Sequence, residues 1–305
     1  MEKSEYIWLD GKFVAWDEAR VHVLTHTLHY GFGVFEGIRC YEGADGRSAI
    51  FRLHEHTERL FASARIIGFK IPFAPDEINA ACVEAVRKNR LKACYIRPLV
   101  FVGDGEMGLG AAVTNPVRVS IIVWPWGSYL GDEGVRNGIR VKTSSFQRFH
   151  VNTLMSKAKV VGHYVNSILA SVEAREAGYD EAMLLDPDGF VAECSGENIF
   201  IVRHGHVKTS PLTSVLPGIT RHTVMTLIRE RQLTLSEERF TRDEIYIADE
   251  AFLTGTAAEV TPIRELDGRP VGAGKPGPVT RTLQEEYARI TRGADASHRE
   301  WLTFV

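Results

Sequence analysis

The chain has 305 residues, 44% hydrophobic and 25% charged, which is the balance of a folded globular protein and excludes a disordered or fibrous one. A net charge of -3 and the lack of any Lys/Arg-rich block argue against nucleic acid or an anionic membrane as the main partner. Nothing approaches the roughly 20 apolar residues of a membrane helix, and no signal-peptide pattern opens the chain. Four cysteines without CxxC spacing read as reduced thiols. A cytoplasmic protein of two domains is the expectation.

Asp10-Gly11 predicts a two-residue hairpin over 6–16. Strands are expected near 34–41 and 48–53, and helices over 54–67 and from Asp76 to about Asn89. Tyr95 to Val102 and Val117 to Trp124 read as buried strands. Residues 127–138 are rich in glycine and charge with no apolar period, which predicts a linker between a small α+β domain, 1–126, and a larger one, 139–305. The second half should bring a strand at 139–144, a helix over about 157–177, a hairpin of 181–186 with 190–194, and a strand at 198–202. A helix from Gly218 to Gln232, strands near 233–240 and 251–255, and a helix over about 278–292 complete it. Helices and antiparallel strands mix without regular βαβ alternation, so the expected class is α+β.

Gly103 to Gly108 fits GxGxxG, but the segment after it is short and ends in Pro116, which removes the helix that a dinucleotide site requires. His22, His26 and His29 stand at helical spacing without a carboxylate ligand pattern, so no metal site is expected. Leu216-Pro217-Gly218-Ile219-Thr220 precedes an amphipathic run and leaves amides at a helix N-terminus, where an anion binds well; it is also ordinary turn chemistry. Leu253 to Glu259 ends a strand in small residues, either a second anion site or a tight strand exit.

Glu193-Cys194-Ser195-Gly196-Glu197-Asn198-Ile199-Phe200, then Leu216 to Arg221, then Thr254-Gly255-Thr256-Ala257-Ala258-Glu259, resemble the branched-chain amino acid aminotransferases, class IV pyridoxal-phosphate enzymes. The first half agrees through His29-Tyr30-Gly31, Val34 to Arg39, and Tyr95-Ile96-Arg97-Pro98-Leu99. The likeness runs over about residues 6–290 and implies the two-domain fold type IV, which is that of the D-amino acid aminotransferases, with the larger domain holding the cofactor. Cys194 departs from the glycine usual in the family, and Val161 and His163 are bulkier than its pattern.

The resemblance implies that Lys159, five residues before Tyr164, carries pyridoxal 5'-phosphate and serves as acid-base. It implies Glu193 at the pyridine nitrogen, Tyr164 near the phenolic oxygen and Leu216 against the ring. It assigns the phosphate to Arg59, the Ile219 and Thr220 amides and the Thr256 hydroxyl. Tyr30, Phe35, Gly37, Leu109, Trp126 and Tyr129 match an apolar side-chain pocket. The Thr256 and Ala257 amides with Tyr95 match the α-carboxylate site, and Arg97 a distal carboxylate. Read singly, Lys159 is a solvated lysine, Arg59 a helix-surface ion pair, Glu193 an exposed hairpin residue and each aromatic a core residue. The implied activity moves the amino group of leucine, isoleucine or valine to 2-oxoglutarate by a ping-pong mechanism, in a homodimer or higher homo-oligomer acting on small amino acids and 2-oxo acids. Amine and D-amino acid transaminases and aminodeoxychorismate lyases share the scaffold, and a non-catalytic vitamin-B6-binding protein is a rival of another class.

Overall fold

The computed structural model describes every residue except Met1 and Ser128. The chain forms two compact units, Met1–Trp126 with Lys157–His163 and Arg289–Val305, and Gly127–Ser156 with Tyr164–Ala288.

In the first unit, β1 (Tyr6–Leu9) turns into β2 (Lys12–Ala15) through Asp10 and Gly11 at φ of 49° and 92°, the left-handed pair that a two-residue hairpin needs. There follow α1 (His26–Tyr30), β3 (Gly33–Phe35), β4 (Ile38–Glu42), β5 (Ser48–Phe51), α2 (Leu53–Ile67), α3 (Pro75–Lys88), β6 (Cys94–Val102) and β7 (Val117–Trp124). Among the described residues, eight strands make one antiparallel sheet. Leu60 of α2 and Ile78 of α3 pack into one core with Val34, Ile38, Ile96 and Ile121. The GxGxxG segment joins antiparallel β6 and β7, and Asn115 pins it by accepting from the Glu106 amide and donating to its carbonyl, each at 2.9 Å.

Two expectations change here, and the tail gains a structure. The strand of 34–41 divides into β3 and β4, both on the same edge of β6 and in one register, because Pro98 accepts from the Glu36 amide but has no N–H to return the bond. The helix of 157–177 starts only at Tyr164, since the residues before it spend their backbone groups on β3: the Phe35 amide donates to the Lys159 carbonyl and Val160 bridges Val34. The C-terminal residues, outside the resemblance, form a strand, Leu302–Phe304, on β5.

In the second unit α4 (Gly131–Asn137) occupies the stretch expected as a linker, whose Ser128 lies outside the described residues. Leu130 packs on the core and the Val135 carbonyl accepts from Gln284 at 2.9 Å, so one apolar residue and one backbone bond anchor a helix that composition hides. Next come β8 (Ile139–Thr143), α5 (Tyr164–Glu176), β9 (Glu181–Leu185), β10 (Val191–Cys194), β11 (Asn198–Arg203), β12 (His206–Thr209), α6 (Ile219–Glu230), β13 (Thr234–Glu237), α7 (Arg242–Tyr246), β14 (Glu250–Gly255), β15 (Glu259–Leu266), β16 (Arg269–Pro270) and α8 (Pro278–Thr291). The sheet is mixed: β8 and β9 run parallel across α5, β12 and β13 across α6, and the hairpins are antiparallel, which makes the class α+β. Among the described residues, no helix is long and apolar enough to cross a membrane.

Phe252 of β14 is fully buried and stacks on Phe200 of β11 with ring centroids 5.0 Å apart. Phe252→Ala is expected to destabilise the protein by about 3–5 kcal/mol, read from denaturant unfolding. A change below about 1 kcal/mol would mean that the site collapses around the smaller side chain.

Candidate active site

Lys159 is held in the first unit by its own backbone. Its amide donates to Ser63 Oγ of α2 at 3.0 Å, its carbonyl accepts from the Phe35 amide at 3.1 Å, and the Gly162 amide donates to the Gly31 carbonyl at 2.9 Å. These bonds leave the side chain to turn over Phe35, with Nζ 4.9 Å from the ring centroid. The amine chosen by its spacing from Tyr164 is thus set against an aromatic wall rather than out in solvent.

A second cation meets the same ring. Arg97 Cζ lies 4.7 Å from the centroid of Phe35, 5.4 Å from Tyr95 and 5.8 Å from Trp124. Its Nε is buried without a hydrogen-bond partner, and among the described residues no carboxylate pairs with it. Tyr95 stands edge-on to Trp126 at 4.6 Å, and its hydroxyl occupies the space beside Gly37, where a Cβ would come within 1.8 Å of it. Phe35, Gly37, Tyr95, Arg97 and Trp126 are therefore brought together, with Trp124 as a member that had no role in the sequence.

Arg59 of α2 is not a surface ion pair. Its Nε and Nη2 donate to the two oxygens of Glu36 at 2.7 and 2.9 Å, and Glu36 has no exposed surface. His56, one helical turn before Arg59, meets the same carboxylate at 2.7 Å.

In the second unit Glu193 is 5% exposed on β10, which removes the reading of an exposed hairpin residue. Arg148 Nε lies 2.8 Å from its Oε1, an ion pair by distance whose N–H lacks hydrogen-bond alignment. Its Oε2 accepts from Asn198 Nδ2 and from the Leu216 amide, each at 3.2 Å. Asn198 donates again to the Leu216 carbonyl at 3.1 Å, and its Oδ1 fills the space beside Gly218, where a Cβ would come within 2.0 Å of it. Gly218 opens α6 with no side-chain cap, so the Ile219 and Thr220 amides head a helix with their donors turned to whatever binds there. Thr256 and Ala257 form the turn between β14 and β15. Tyr164 begins α5, and Tyr129 precedes α4. Burial first, then the Glu197 and Glu181 charges, pushes the Tyr129 phenol up to about 12.

Tyr30 and Leu109 stand apart from these sets. Tyr30 ends α1 and Leu109 begins a short 3-10 turn, 77% exposed, and His26 Nε2 ties α1 to the Gly108 carbonyl at 3.1 Å. His29 Nε2 meets the Val23 carbonyl and His22 Nδ1 accepts from the Leu24 amide, so all three histidines bond to backbone groups.

The model of the amino-transferase class IV family matches residues 33–266. A Pseudomonas aeruginosa branched-chain-amino-acid aminotransferase is 55% identical over 304 residues, 100% of this chain and 98% of that relative. The chain belongs to the branched-chain-amino-acid aminotransferases of class IV. Solved members of the family agree: the Escherichia coli enzyme is 44% identical with a TM-score of 0.96, covering 98% of this chain and 99% of that one. A T.th. branched-chain amino acid aminotransferase complexed with N-(5'-phosphopyridoxyl)-L-glutamate is 45% identical with a TM-score of 0.94, over 99% of each chain.

Glu36, His56, Trp124, Arg148 and Asn198 had no role in the sequence. Glu36 and Asn198 lie inside the quoted motifs, so their position was visible and only their bonds were not. Gly37→Ala is expected to force Tyr95 aside and cost about 1–3 kcal/mol as overpacking, together with a loss of turnover. Denaturant unfolding and steady-state kinetics measure the two; wild-type values in both would mean that the Tyr95 hydroxyl is free to move.

Proposed function

We propose that this chain transfers the amino group of leucine, isoleucine or valine to 2-oxoglutarate, with pyridoxal phosphate as cofactor and in a ping-pong cycle. The observation that carries the choice of acceptor is Arg97: a guanidinium with a buried, unpartnered Nε, set among aromatic rings with no carboxylate beside it among the described residues. Such a cation loses solvation and gains a fixed orientation, and a dicarboxylic acid returns the missing counter-charge. The same rings give leucine an apolar wall. The glutamate adduct in one relative accords with this reading.

The residues fit the cofactor. An uncapped helix N-terminus at Ile219 and Thr220 suits a phosphate, as does the Arg59 guanidinium. Glu193, a buried carboxylate beside a guanidinium, suits a protonated ring nitrogen. When bound, pyridoxal phosphate supplies an electron sink for the pair left at the substrate Cα. Lys159 supplies the amine that carries it and then moves the Cα proton. Tyr164 orients the phenolic edge and Leu216 covers a ring face. The Thr256 and Ala257 amides and Tyr95 hold the α-carboxylate, and Phe35, Gly37, Trp126 and Tyr129 exclude water around the side chain.

A homodimer or larger homo-oligomer fits two apolar sets that a single chain leaves bare. Helix α5 buries small residues, Ser167, Ala170 and Ala174, and turns Val165, Ile168, Leu169 and Val172 outward at helical spacing. Val23, Leu28, Tyr30, Leu109 and Val113 are exposed likewise in the first unit. We infer that Tyr30 and Leu109 complete the pocket of a second copy.

Lys159→Ala is expected to abolish steady-state transamination, and borohydride reduction of the wild-type protein with peptide mapping should label Lys159. A label on Lys157 would overturn the assignment. Arg97→Ala should weaken 2-oxoglutarate and glutamate by about 1.5–3 kcal/mol while sparing leucine, measured in separate half-reactions. Equal losses would assign Arg97 to the fold or the α-carboxylate. Mixing Lys159→Ala chains with chains altered at Leu109 should recover activity if copies share a pocket; a fully active monomer in light scattering would end that idea.

A further inference from the structure

Glu36 sits where the strand expected over 34–41 breaks, between Phe35 of the aromatic wall and Gly37 against the Tyr95 hydroxyl. Its carboxylate has no exposed surface and accepts its bonds from the protein: Arg59 Nε at 2.7 Å, Arg59 Nη2 at 2.9 Å, His56 Nδ1 at 2.7 Å and its neighbour's amide, Gly37 N, at 3.2 Å. Burial by itself would raise this acid, but the charge of Arg59 and the hydrogen bonds from His56 and Arg59 hold it well below the usual carboxylate range. Burial also pushes the His56 imidazole down, more than the Glu36 charge raises it, so His56 is a neutral donor and Arg59 is the cation of the cluster.

A guanidinium is planar, and a carboxylate that takes Nε and Nη2 side-on sets its plane and turns the Nη1 side the other way. A lysine in place of Arg59, or a neutral amide in place of Glu36, cannot reproduce this fork. The arrangement is costly to keep for stability alone, since two apolar residues of like volume often serve a core as well as a buried ion pair does.

We propose that Glu36 is a positioning residue that aims Arg59 at the cofactor phosphate and, through the backbone it shares with Phe35 and Gly37, joins that contact to the substrate wall. This rests on the reading that the chain binds pyridoxal phosphate, and it adds that phosphate recognition depends on a carboxylate that never meets the ligand. The Arg59 guanidinium acts directly, Glu36 only through it.

The test is equilibrium binding of pyridoxal phosphate and of pyridoxal, which lacks the phosphate, to cofactor-free protein, followed by absorbance and by quenching of intrinsic fluorescence. Wild type should prefer the phosphorylated form. Glu36→Gln should lose about tenfold to a hundredfold on pyridoxal phosphate, the worth of a hydrogen bond to a charged group, and leave pyridoxal nearly unchanged. Glu36→Asp, which keeps the charge, should recover part of the loss. Adding Glu36→Gln to Arg59→Ala should cost nothing further on pyridoxal phosphate. Arg59→Lys tests the same point without touching Glu36 and should reduce the phosphate preference, because an ammonium lacks the planar fork that Glu36 orients; it stands in if Glu36→Gln fails to fold. Equal losses on both ligands, or an Arg59→Lys protein with the wild-type preference, would overturn the proposal. A wild-type protein without preference for the phosphorylated form would instead sink the cofactor reading beneath it.

Discussion

A carboxylate without exposed surface must find every counter-charge and donor within the protein, and in the first unit that requirement falls on Glu36. Arg59 and His56 meet it from two successive positions on one face of α2, three residues apart, which sets how that helix lies against β3. The Glu36 amide still donates to the Pro98 carbonyl at 2.9 Å, so β3 and β4 lie end to end along β6 in one register. On the other side of β3, the Phe35 amide is spent on the Lys159 carbonyl, and Lys159 is thereby delivered to the ring of Phe35. Removing the acid would take from Arg59 the carboxylate that both its Nε and its Nη2 meet.

The second unit solves a comparable problem with a different device. Glu193 lies on β10, and one amide side chain, Asn198 at the start of β11, bonds both to its carboxylate and to the Leu216 carbonyl ahead of α6. The acid and the open end of the helix are thus kept in register by Asn198 together with the direct bond from the Leu216 amide to Glu193. Gly218 is required because the Asn198 side chain already fills the place of a Cβ. An amide suits this position since it donates twice and carries no charge to compete with Arg148.

Both units place function where regular structure stops. Phe35 to Ile38, Leu216 to Ile219 and Gly255 to Glu259 are breaks, caps or turns, each with backbone donors outside a ladder, and each is walled by a rigid sheet. Helix α5 shows a further consequence of the fold: small residues face its own unit and let it lie close to β8 and β9, so its large apolar residues point to solvent in the isolated chain. That reverses the usual amphipathic order, and the hydrophobic effect then favours covering the outer face.

The class, most elements and the family were legible from the amino acids because they depend on local pattern: the Asp10-Gly11 turn, the apolar period of 54–67, and the long motifs around Glu193, Leu216 and Thr256. The change of composition after Trp126 was visible too, although α4 was not, since Leu130 packs on the core just before it and a backbone bond from Gln284 holds it. Periodicity extended the helix back over Lys159, and it could not reveal that those residues pair with β3 instead, for the partner lies more than a hundred positions away. The tail strand was hidden for the same reason. Motif likeness named Arg59, Glu193 and Arg97 but said nothing of their neighbours. Whether a charge is exposed, clamped or left without a counter-ion is set by what the fold buries around it, so the clamp of Glu36 on Arg59, the bonds of Glu193 and the lone guanidinium of Arg97 were decided by the tertiary structure.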